Sequence, residues 1–428
     1  MSHAPGKREG GPGVDLKALF RTLNGGVYPT YQTPSTTFMS KETSTFADLT
    51  RWSKQNDPGG NISIDARGII FQPNAATQIV RGTLLTGLVV GRKHRIRWRK
   101  RSGTSAVRLR FAAGQNIADA VVTNGWLGND FIATATSAFI EVMCIGSAGS
   151  GAHVDVVDIE DVTDDIYHIF GIGGQSTEES ASSGPPDMDI DLPHPKVAAM
   201  WGTTSSGYLT TAGGISAMRA PVQMITGGNT GLGPALSFLR YLADNWPGGL
   251  PANHKLLGVA VAQGGTGLIS GGAVWAKAGN AARFNTLISY MRAAKALDPS
   301  NVYSGVRFSQ GDADVGIYGA PNYLGAYPQF VGDVRGDLGV PDMPFFVSGI
   351  KAEGASSLKL EMIAAQKSMD IAGANPVSRN YYTEWNPAWG DPTQYNDDFE
   401  GHPHFIADAE RIRGLIAGMD AISRATLV

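Results

Sequence analysis

The chain contains 428 residues, of which 42% are hydrophobic and 17% are charged, and its formal net charge at pH 7 is −3. This length predicts two or three domains, and the near-neutral charge excludes the strongly basic surface typical of nucleic-acid-binding proteins. A single cysteine, Cys144, excludes an internal disulfide. No cysteine-rich spacing or His-Glu-x-x-His motif indicates a metal site. No apolar run approaches the about 18 residues that would span a bilayer, so no membrane partner is expected.

Residues 1–40 are expected to form an N-terminal arm. Met1 to Gly13 is rich in Gly and Pro and lacks the apolar segment of a secretory signal, so export by that route is not expected. Val14–Leu23 has the apolar spacing of a short helix. Two interpretations stay open: a disordered tail, or an arm that docks onto a larger assembly such as a virion or phage-like particle. The expected location is accordingly a particle surface, or otherwise the cytoplasm or export by a non-classical route.

Residues 41–163 are predicted to form an all-β domain. Short runs with alternating apolar and polar residues recur between Gly, Asn and Asp turns, as in Val107 to Phe111. Alternation at this spacing is typical of a β-sandwich. Phe139–Ile145 has the pattern of a strand, which predicts Cys144 as a small core residue rather than a reactive thiol. The pattern from Leu88 to Val162 resembles the jelly rolls of carbohydrate-binding modules.

The run Arg92 to Arg101 carries seven Lys or Arg residues. In an extended strand, Arg95, Arg97 and Arg99 would share one face, because successive side chains point to opposite sides. That face is interpreted either as a patch for an anionic polysaccharide or acidic partner, or simply as a solvated face of the sheet.

Residues 164–428 are predicted to form an α/β domain, because apolar strands now alternate with amphipathic helices. The expected strands are Ile166–Gly171, Leu256–Val261, Ser304–Phe308 and Pro344–Ser348. The expected helices are Pro234–Asp244, Asn280–Leu297, Ser357–Ile371 and Ala407–Met419. In a parallel sheet of this kind, the site lies at the carboxyl ends of the strands, where the strand order reverses.

Ser176 is the first candidate for chemistry. It ends the segment Ile169–Ser176, in which an apolar strand runs into Gly173, Gly174 and Gln175. The glycines allow a tight turn that would expose the hydroxyl at the sheet edge. The backbone N–H of such a serine can also help to hold an oxyanion. Alone, the motif is weak, and a glycine turn with an incidental serine is an alternative.

Three later segments strengthen this interpretation. Val259–Gly267 follows a strand and contains glycines, where a residue without a side chain lets its backbone N–H approach a substrate oxygen closely. Arg307–Asp314 follows the next strand, and the side-chain amide of Gln310 is a further candidate oxyanion donor. Asn396–Phe405 precedes the last predicted helix and holds two histidines and three carboxylates: His402, His404, Asp397, Asp398 and Glu400. Serine, histidine and carboxylate are the components of a catalytic triad.

The motifs in this order resemble the sialate O-acetylesterase and acetylxylan-esterase-like branch of the SGNH hydrolases, over about residues 165–424. The resemblance implies a three-layer α/β/α domain. It implies that Ser176 is the nucleophile and that Ser176, Gly265 and Gln310 form the oxyanion hole. It also implies that His404 is the base, because His404 to Arg411 resembles the His-Phe opening of the family's last helix.

The chain departs from the family pattern at three places. Thr177 replaces the usual Asn, and Asp312 with Ala313 replaces the usual Glu-Ser. Gly401 occupies the position of the usual catalytic Asp. Asp398 is therefore predicted as the acid, with Glu400 and a base at His402 as alternatives, and a Ser–His dyad also stays open.

The predicted reaction is hydrolysis of O-acetyl esters on a polysaccharide or surface glycan, without metal or organic cofactor. The alternative is a non-enzymatic receptor-binding spike or adhesin of a phage-like particle, whose degenerate esterase domain only binds glycans. A homo-oligomer stays open, and no nucleic-acid partner is expected.

Overall fold

The computed structural model describes most of the chain from residue 52 onward. The description leaves out 1–51, 66–67, 75, 87, 113, 115, 122–123, 146–150, 177, 179–190, 192, 201–213, 219–232, 270–274, 316–318, 351–355, 384–406, 426 and 428. The predicted arm, residues 1–40, lies outside the described residues. Within them, no helix combines the length and apolar character needed to cross a bilayer.

Ten strands form the N-terminal β-sandwich. They are β1 Ser53–Asn56, β2 Ile62–Asp65, β3 Gly68–Phe71, β4 Gln78–Thr86, β5 Lys93–Ser102, β6 Ala106–Phe111, β7 Asn116–Val121, β8 Gly125–Ile132, β9 Ser137–Ile145 and β10 Ala152–Asp161. One five-stranded sheet has the order β1-β4-β9-β6-β7 and the other β2-β3-β10-β5-β8. The pairing of β4-β9-β6-β7 against β3-β10-β5-β8 confirms the predicted jelly roll.

A single apolar core lies between the two sheets. It includes Phe71, Trp98, Leu109 and Phe111, all of them buried. Phe111 meets Phe131 edge to face, with ring centroids 5.0 Å apart. Cys144 is buried in the same core, which confirms its prediction as a packing residue.

The arginine face of β5 does not behave as predicted. Arg95 and Arg97 are only 1% and 0% exposed, and Arg99 is buried too. Both interpretations of this face, a solvated surface and a binding patch, are therefore wrong. The alternation rule identified one face correctly as core, but it did not show that a second domain covers the other.

The C-terminal region is a three-layer α/β/α domain. Its strands are β11 Ile166–Gly174, β12 Val197–Met200, β13 Ile215–Ala217, β14 His254–Ala260, β15 Val302–Ser309, β16 Phe345–Ser348 and β17 Asn380–Thr383. Its helices are α1 Ala235–Asp244, α2 Ala282–Ala296, α3 Gly319–Leu338, α4 Ser357–Ser368 and α5 Ala407–Arg424. The strand order is β13-β12-β14-β11-β15-β16-β17. All pairs are parallel except β12 with β13.

Alternation along β11 sends side chains into two separate cores. Ile169 joins a cluster that contains Phe284 of α2 and Phe330 of α3. Phe170 joins the opposite cluster, which contains Phe238 of α1 and Ala417 of α5. β11 therefore lies in the middle of the sheet with helices on both faces, as the sequence predicts.

Buried charges join the two domains at the amino-terminal edge of the parallel sheet. The Nζ of Lys255, on β14, lies 3.0 Å from Glu160 of β10 and 2.9 Å from Asp165. Arg95 of β5 pairs with Asp130 at 2.7 Å and donates to the hydroxyl of Tyr167 at 3.3 Å. These residues, together with Arg97, form the interface cluster: Arg95, Arg97, Asp130, Glu160, Asp165, Tyr167 and Lys255.

Candidate active site

Three segments converge at the carboxyl edge of the sheet, around the end of β11. The backbone N–H of Gln263, after β14, donates to Gly174 O at 3.1 Å. The backbone N–H of Gln175 donates to the carbonyl of Ser309, at the end of β15, at 3.0 Å. Ser176 follows directly and is partly exposed. Since β11 is flanked by β14 and β15, which follow it in opposite directions across the sheet, Ser176 lies at the point where the strand order reverses.

Gly174 makes the turn before Ser176 possible. Its φ is +136°, and a Cβ added there would lie 2.1 Å from the carbonyl oxygen of Ser309. The next residue, Gln175, is anchored by its side chain: its Nε2 donates to Asp312 at 3.0 Å, and its Oε1 accepts from Ala313 N at 3.3 Å. Asp312 also pairs with Lys359 of α4 at 2.5 Å. Hydrogen bonds to both the backbone and the side chain of Gln175 therefore hold the turn that carries Ser176.

The glycine loop after β14 stands beside this turn. Gly265 has a φ of +70°, and a Cβ there would meet no atom within 4 Å, so the loop faces open space at this point. The Thr266 hydroxyl donates to Gln263 O at 2.7 Å. The glycine at 265 therefore allows a positive φ at a point of the loop where nothing packs against it.

Asp314 joins the glycine loop to Gln310. Its carboxylate accepts from the backbone N–H of Leu268 at 2.7 Å and of Ile269 at 3.2 Å. It also accepts from Gln310 Nε2 at 2.6 Å. Gln310 is fully buried. An amide nitrogen carries two protons, so one N–H of Gln310 is committed to Asp314 and a second remains for another acceptor.

The middle of this domain carries a family signature. Residues 193–380 match the family model described as "carbohydrate esterase, sialic acid-specific acetylesterase". The matched part includes the glycine loop, Gln310 and Asp314. Over residues 193–380, the α/β domain is therefore similar to carbohydrate esterases. A search of the curated proteins found no significant match.

Solved structures similar to this chain include a carbohydrate acetylesterase. The crystal structure of NanS is 19% identical, with 61% of this chain and 97% of that chain covered and a TM-score of 0.49. A protein from Arabidopsis thaliana is 17% identical, with 60% and 99% covered and a TM-score of 0.45. A carbohydrate acetylesterase from Xanthomonas citri is 16% identical, with 82% and 72% covered and a TM-score of 0.40.

The histidine and acid candidates of the α/β domain lie outside the described residues. His402, His404, Asp398 and Glu400 all fall within 384–406, which follows β17 and precedes α5. The structure brings together the segments that carry Ser176, Gly265 and Gln310. The assignment of base and acid stays a prediction.

Sequence reasoning missed two kinds of positioning residue. The sequence pattern alone gives Gln175 and Asp314 no role. Each nevertheless lies in a motif that places a polar side chain next to a glycine at a strand end. The second kind is a group of buried charges, whose partners are distant in sequence and carry no local signal.

These buried charges lie next to the nucleophile turn and form the site cluster: Glu178, Arg307, Glu410 and Arg413. Arg307 Nη2 lies 2.8 Å from Glu178 Oε1, and Arg413 Nη1 lies 2.7 Å from Glu410 Oε2. All four side chains are at most 5% exposed. Burial raises the pKa of Glu410 to about 7; Arg413 opposes this rise, whereas the carboxylate of Glu178 adds to it.

Proposed function

We propose that the chain is a serine esterase that removes O-acetyl groups from a polysaccharide or surface glycan. The observation that supports this most is the convergence of Ser176, the Gly265 loop and Gln310 where the strand order of the sheet reverses. In the proposal, these three supply a hydroxyl nucleophile and hydrogen-bond donors, which is what acyl transfer requires.

In the proposed reaction, Ser176 Oγ attacks the carbonyl carbon of the acetyl ester. Its proton passes to an imidazole, assigned to His404 with His402 as the alternative, while Asp398 or Glu400 orients that ring. The negative oxygen of the tetrahedral intermediate accepts hydrogen bonds from the backbone N–H groups of Ser176 and Gly265 and from the second N–H of Gln310.

Collapse of this intermediate breaks the bond to the sugar oxygen, which takes the proton from the imidazolium. Water then attacks the acetyl-serine, with the imidazole as base, and acetate leaves. Asp314 supports both acylation and deacylation indirectly, because it fixes Gln310 relative to the glycine loop.

The test is Ser176→Ala assayed with p-nitrophenyl acetate and by acetate release from an acetylated polysaccharide. Turnover should fall on the order of 10⁴-fold or more with an unchanged Tm. Ser300→Ala is the matched control, because Ser300 is exposed near the opposite edge of the sheet. Wild-type turnover in Ser176→Ala would exclude the proposal. If the wild-type chain is inactive and binds the glycan as tightly as Ser176→Ala does, the adhesin is favoured instead.

Turnover measured for His404→Ala and His402→Ala in parallel identifies the base, because only loss of the base should abolish turnover. Gln310→Ala should lose about 100- to 1,000-fold in kcat as one oxyanion donor is removed. If Gln310→Ala keeps full kcat, this amide does not contact the oxyanion.

A further inference from the structure

We propose that the site cluster consists of positioning residues: its ion pairs hold the turn of Ser176 and helix α5 in the arrangement that catalysis requires. This inference rests on the esterase function proposed above. It concerns residues that touch neither the substrate nor the reacting atoms, and it assigns a role to charges that the reaction itself does not use.

The first half of the cluster fixes the nucleophile turn. Glu178 lies two residues after Ser176, is fully buried, and donates its backbone N–H to Gln175 O at 3.0 Å. Arg307 of β15 holds its carboxylate, with Nε 3.2 Å from Oε2. The guanidinium of Arg307 also lies over the Phe238 ring, 5.2 Å from its centroid. The far side of the Ser176 turn is therefore attached to the sheet and to α1.

The second half attaches α5 to the same place. Arg413 Nη2 donates to Ser309 Oγ at 3.2 Å and to Gly349 O at 3.4 Å, at the ends of β15 and β16. Ser309 in turn accepts the backbone N–H of Gln175, next to Ser176. Because α5 begins at Ala407, three residues after His404, the position of this helix fixes one end of the segment that carries the predicted base.

The net charge of the site cluster depends on pH, because Glu410 titrates. Glu410 interacts with Arg413 and Arg307, which stabilise its charged form, and with Glu178, which opposes it. With a pKa of about 7, Glu410 is largely neutral at pH 6 and largely ionised at pH 8.5. Arg413 therefore forms an ion pair with a largely ionised Glu410 carboxylate only at the higher pH.

The first experiment compares Arg413→Met with Arg424→Met on the same helix. Arg424 pairs with Asp370 at 2.5 Å and does not reach the nucleophile turn. Arg413→Met should lower kcat for p-nitrophenyl acetate about 10- to 100-fold with little change in KM, as expected when reacting groups are misplaced by about 1 Å. Arg413→Lys should restore part of this loss. Arg424→Met should lower Tm and leave kcat within about twofold.

The second experiment measures the pH dependence of kcat for Glu410→Gln. The ratio of wild-type to variant kcat should be near one at pH 6 and should rise to about tenfold at pH 8.5. A ratio that stays constant across this range, or equal loss of kcat in Arg413→Met and Arg424→Met, would overturn the positioning role.

Ser176→Ala separates failure of this inference from failure of the proposed function. If Ser176→Ala is inactive while Arg413→Met keeps wild-type kcat, only the positioning role is lost. If Ser176→Ala keeps wild-type turnover, the esterase assignment fails and the positioning role fails with it.

Discussion

Two groups of buried charges stand at opposite edges of the same sheet. The interface cluster lies at the amino edge, where Lys255 holds Glu160 and Asp165 between the domains. The site cluster lies at the carboxyl edge, where Arg307 and Arg413 hold Glu178 and Glu410. Tyr167 and Gly174 are seven residues apart on β11, so the two edges are separated by about 23 Å at about 3.3 Å per residue.

The two clusters differ in how well their carboxylates are compensated. Burial acts to raise the pKa of Glu160, but the charges of Arg97, Lys255 and Arg95 outweigh it and the pKa is lowered. Burial raises the pKa of Glu410 to about 7, and the nearby carboxylate of Glu178 adds to this rise. Glu160 is therefore expected to stay charged and to serve stability, although burial raises the pKa of Asp165 in the same cluster, whereas Glu410 titrates near neutral pH and affects activity.

The largest expected effect on stability is at the interface cluster. Lys255→Met removes the cation that Glu160 and Asp165 share and leaves both carboxylates buried, which should lower the free energy of unfolding by about 3–5 kcal/mol. Urea denaturation measures this loss, and kcat at a temperature where the variant is folded should change less than threefold. A large loss of kcat in folded Lys255→Met would show that the two edges are coupled.

A smaller effect on stability, with a larger one on turnover, is expected at the carboxyl edge. Gly174→Ala should cost about 1–3 kcal/mol, because alanine at φ +136° is strained and its Cβ would meet Ser309 O. The shift of Ser176 should lower kcat about 100-fold. Gly248→Ala is the control: its φ is +75°, and its Cβ would meet no atom within 4 Å. Equal kcat in both variants would contradict the geometry of the nucleophile turn.

The two carboxylates should give opposite dependences of stability on pH. The native state binds the Glu410 proton more tightly than the unfolded state, so ionising Glu410 costs stability as pH rises from about 4.5 to about 7. Glu410→Gln should raise Tm by a few degrees at pH 8 and leave it unchanged at pH 5.

Glu160→Gln should do the reverse. The lowered pKa of Glu160 contributes stability above its ordinary range, and this contribution is lost as pH falls. Glu160→Gln should therefore lower Tm at pH 8, and a gain in Tm there would contradict the charge balance of the interface cluster.

The smallest effect is expected for an ion pair outside both clusters. Lys277 and Asp337 lie 2.6 Å apart, but the Lys277 side chain is 46% exposed. Lys277→Met should change the free energy of unfolding by less than about 1 kcal/mol. Urea denaturation of Lys277→Met and Lys255→Met side by side measures both losses. Lys277→Met is the matched control, because it also removes a lysine from an ion pair.

Much of the fold follows from the sequence, because periodicity reports which face of an element is buried. In helix α1, the apolar residues recur at helical spacing and are buried, as at Ala235, Phe238, Leu239 and Leu242. Helix α3 was missed because Pro328 and four glycines within it argue against a helix. Tertiary packing overrides that preference: Tyr323, Tyr327, Phe330 and Val334 form its buried stripe. Short strands such as β12 and β17 carry too few residues for a periodic signal.

The site could be predicted only in part. Motifs at strand ends identified the segments that meet around the end of β11, because a parallel sheet brings the carboxyl ends of its strands together. The site cluster could not be predicted, since Glu178, Arg307 and Arg413 come from three distant segments. The burial of Arg95 and Arg97 was missed for the related reason that it depends on contact between domains.

Covalent labelling tests the central claim most directly. The full chain is incubated with a fluorophosphonate, which phosphorylates only an activated serine, and its peptides are analysed by mass spectrometry. The account predicts one label per chain on Ser176, with loss of p-nitrophenyl acetate turnover in proportion to labelling. Continued turnover by fully labelled protein, or a label on another serine, would contradict it.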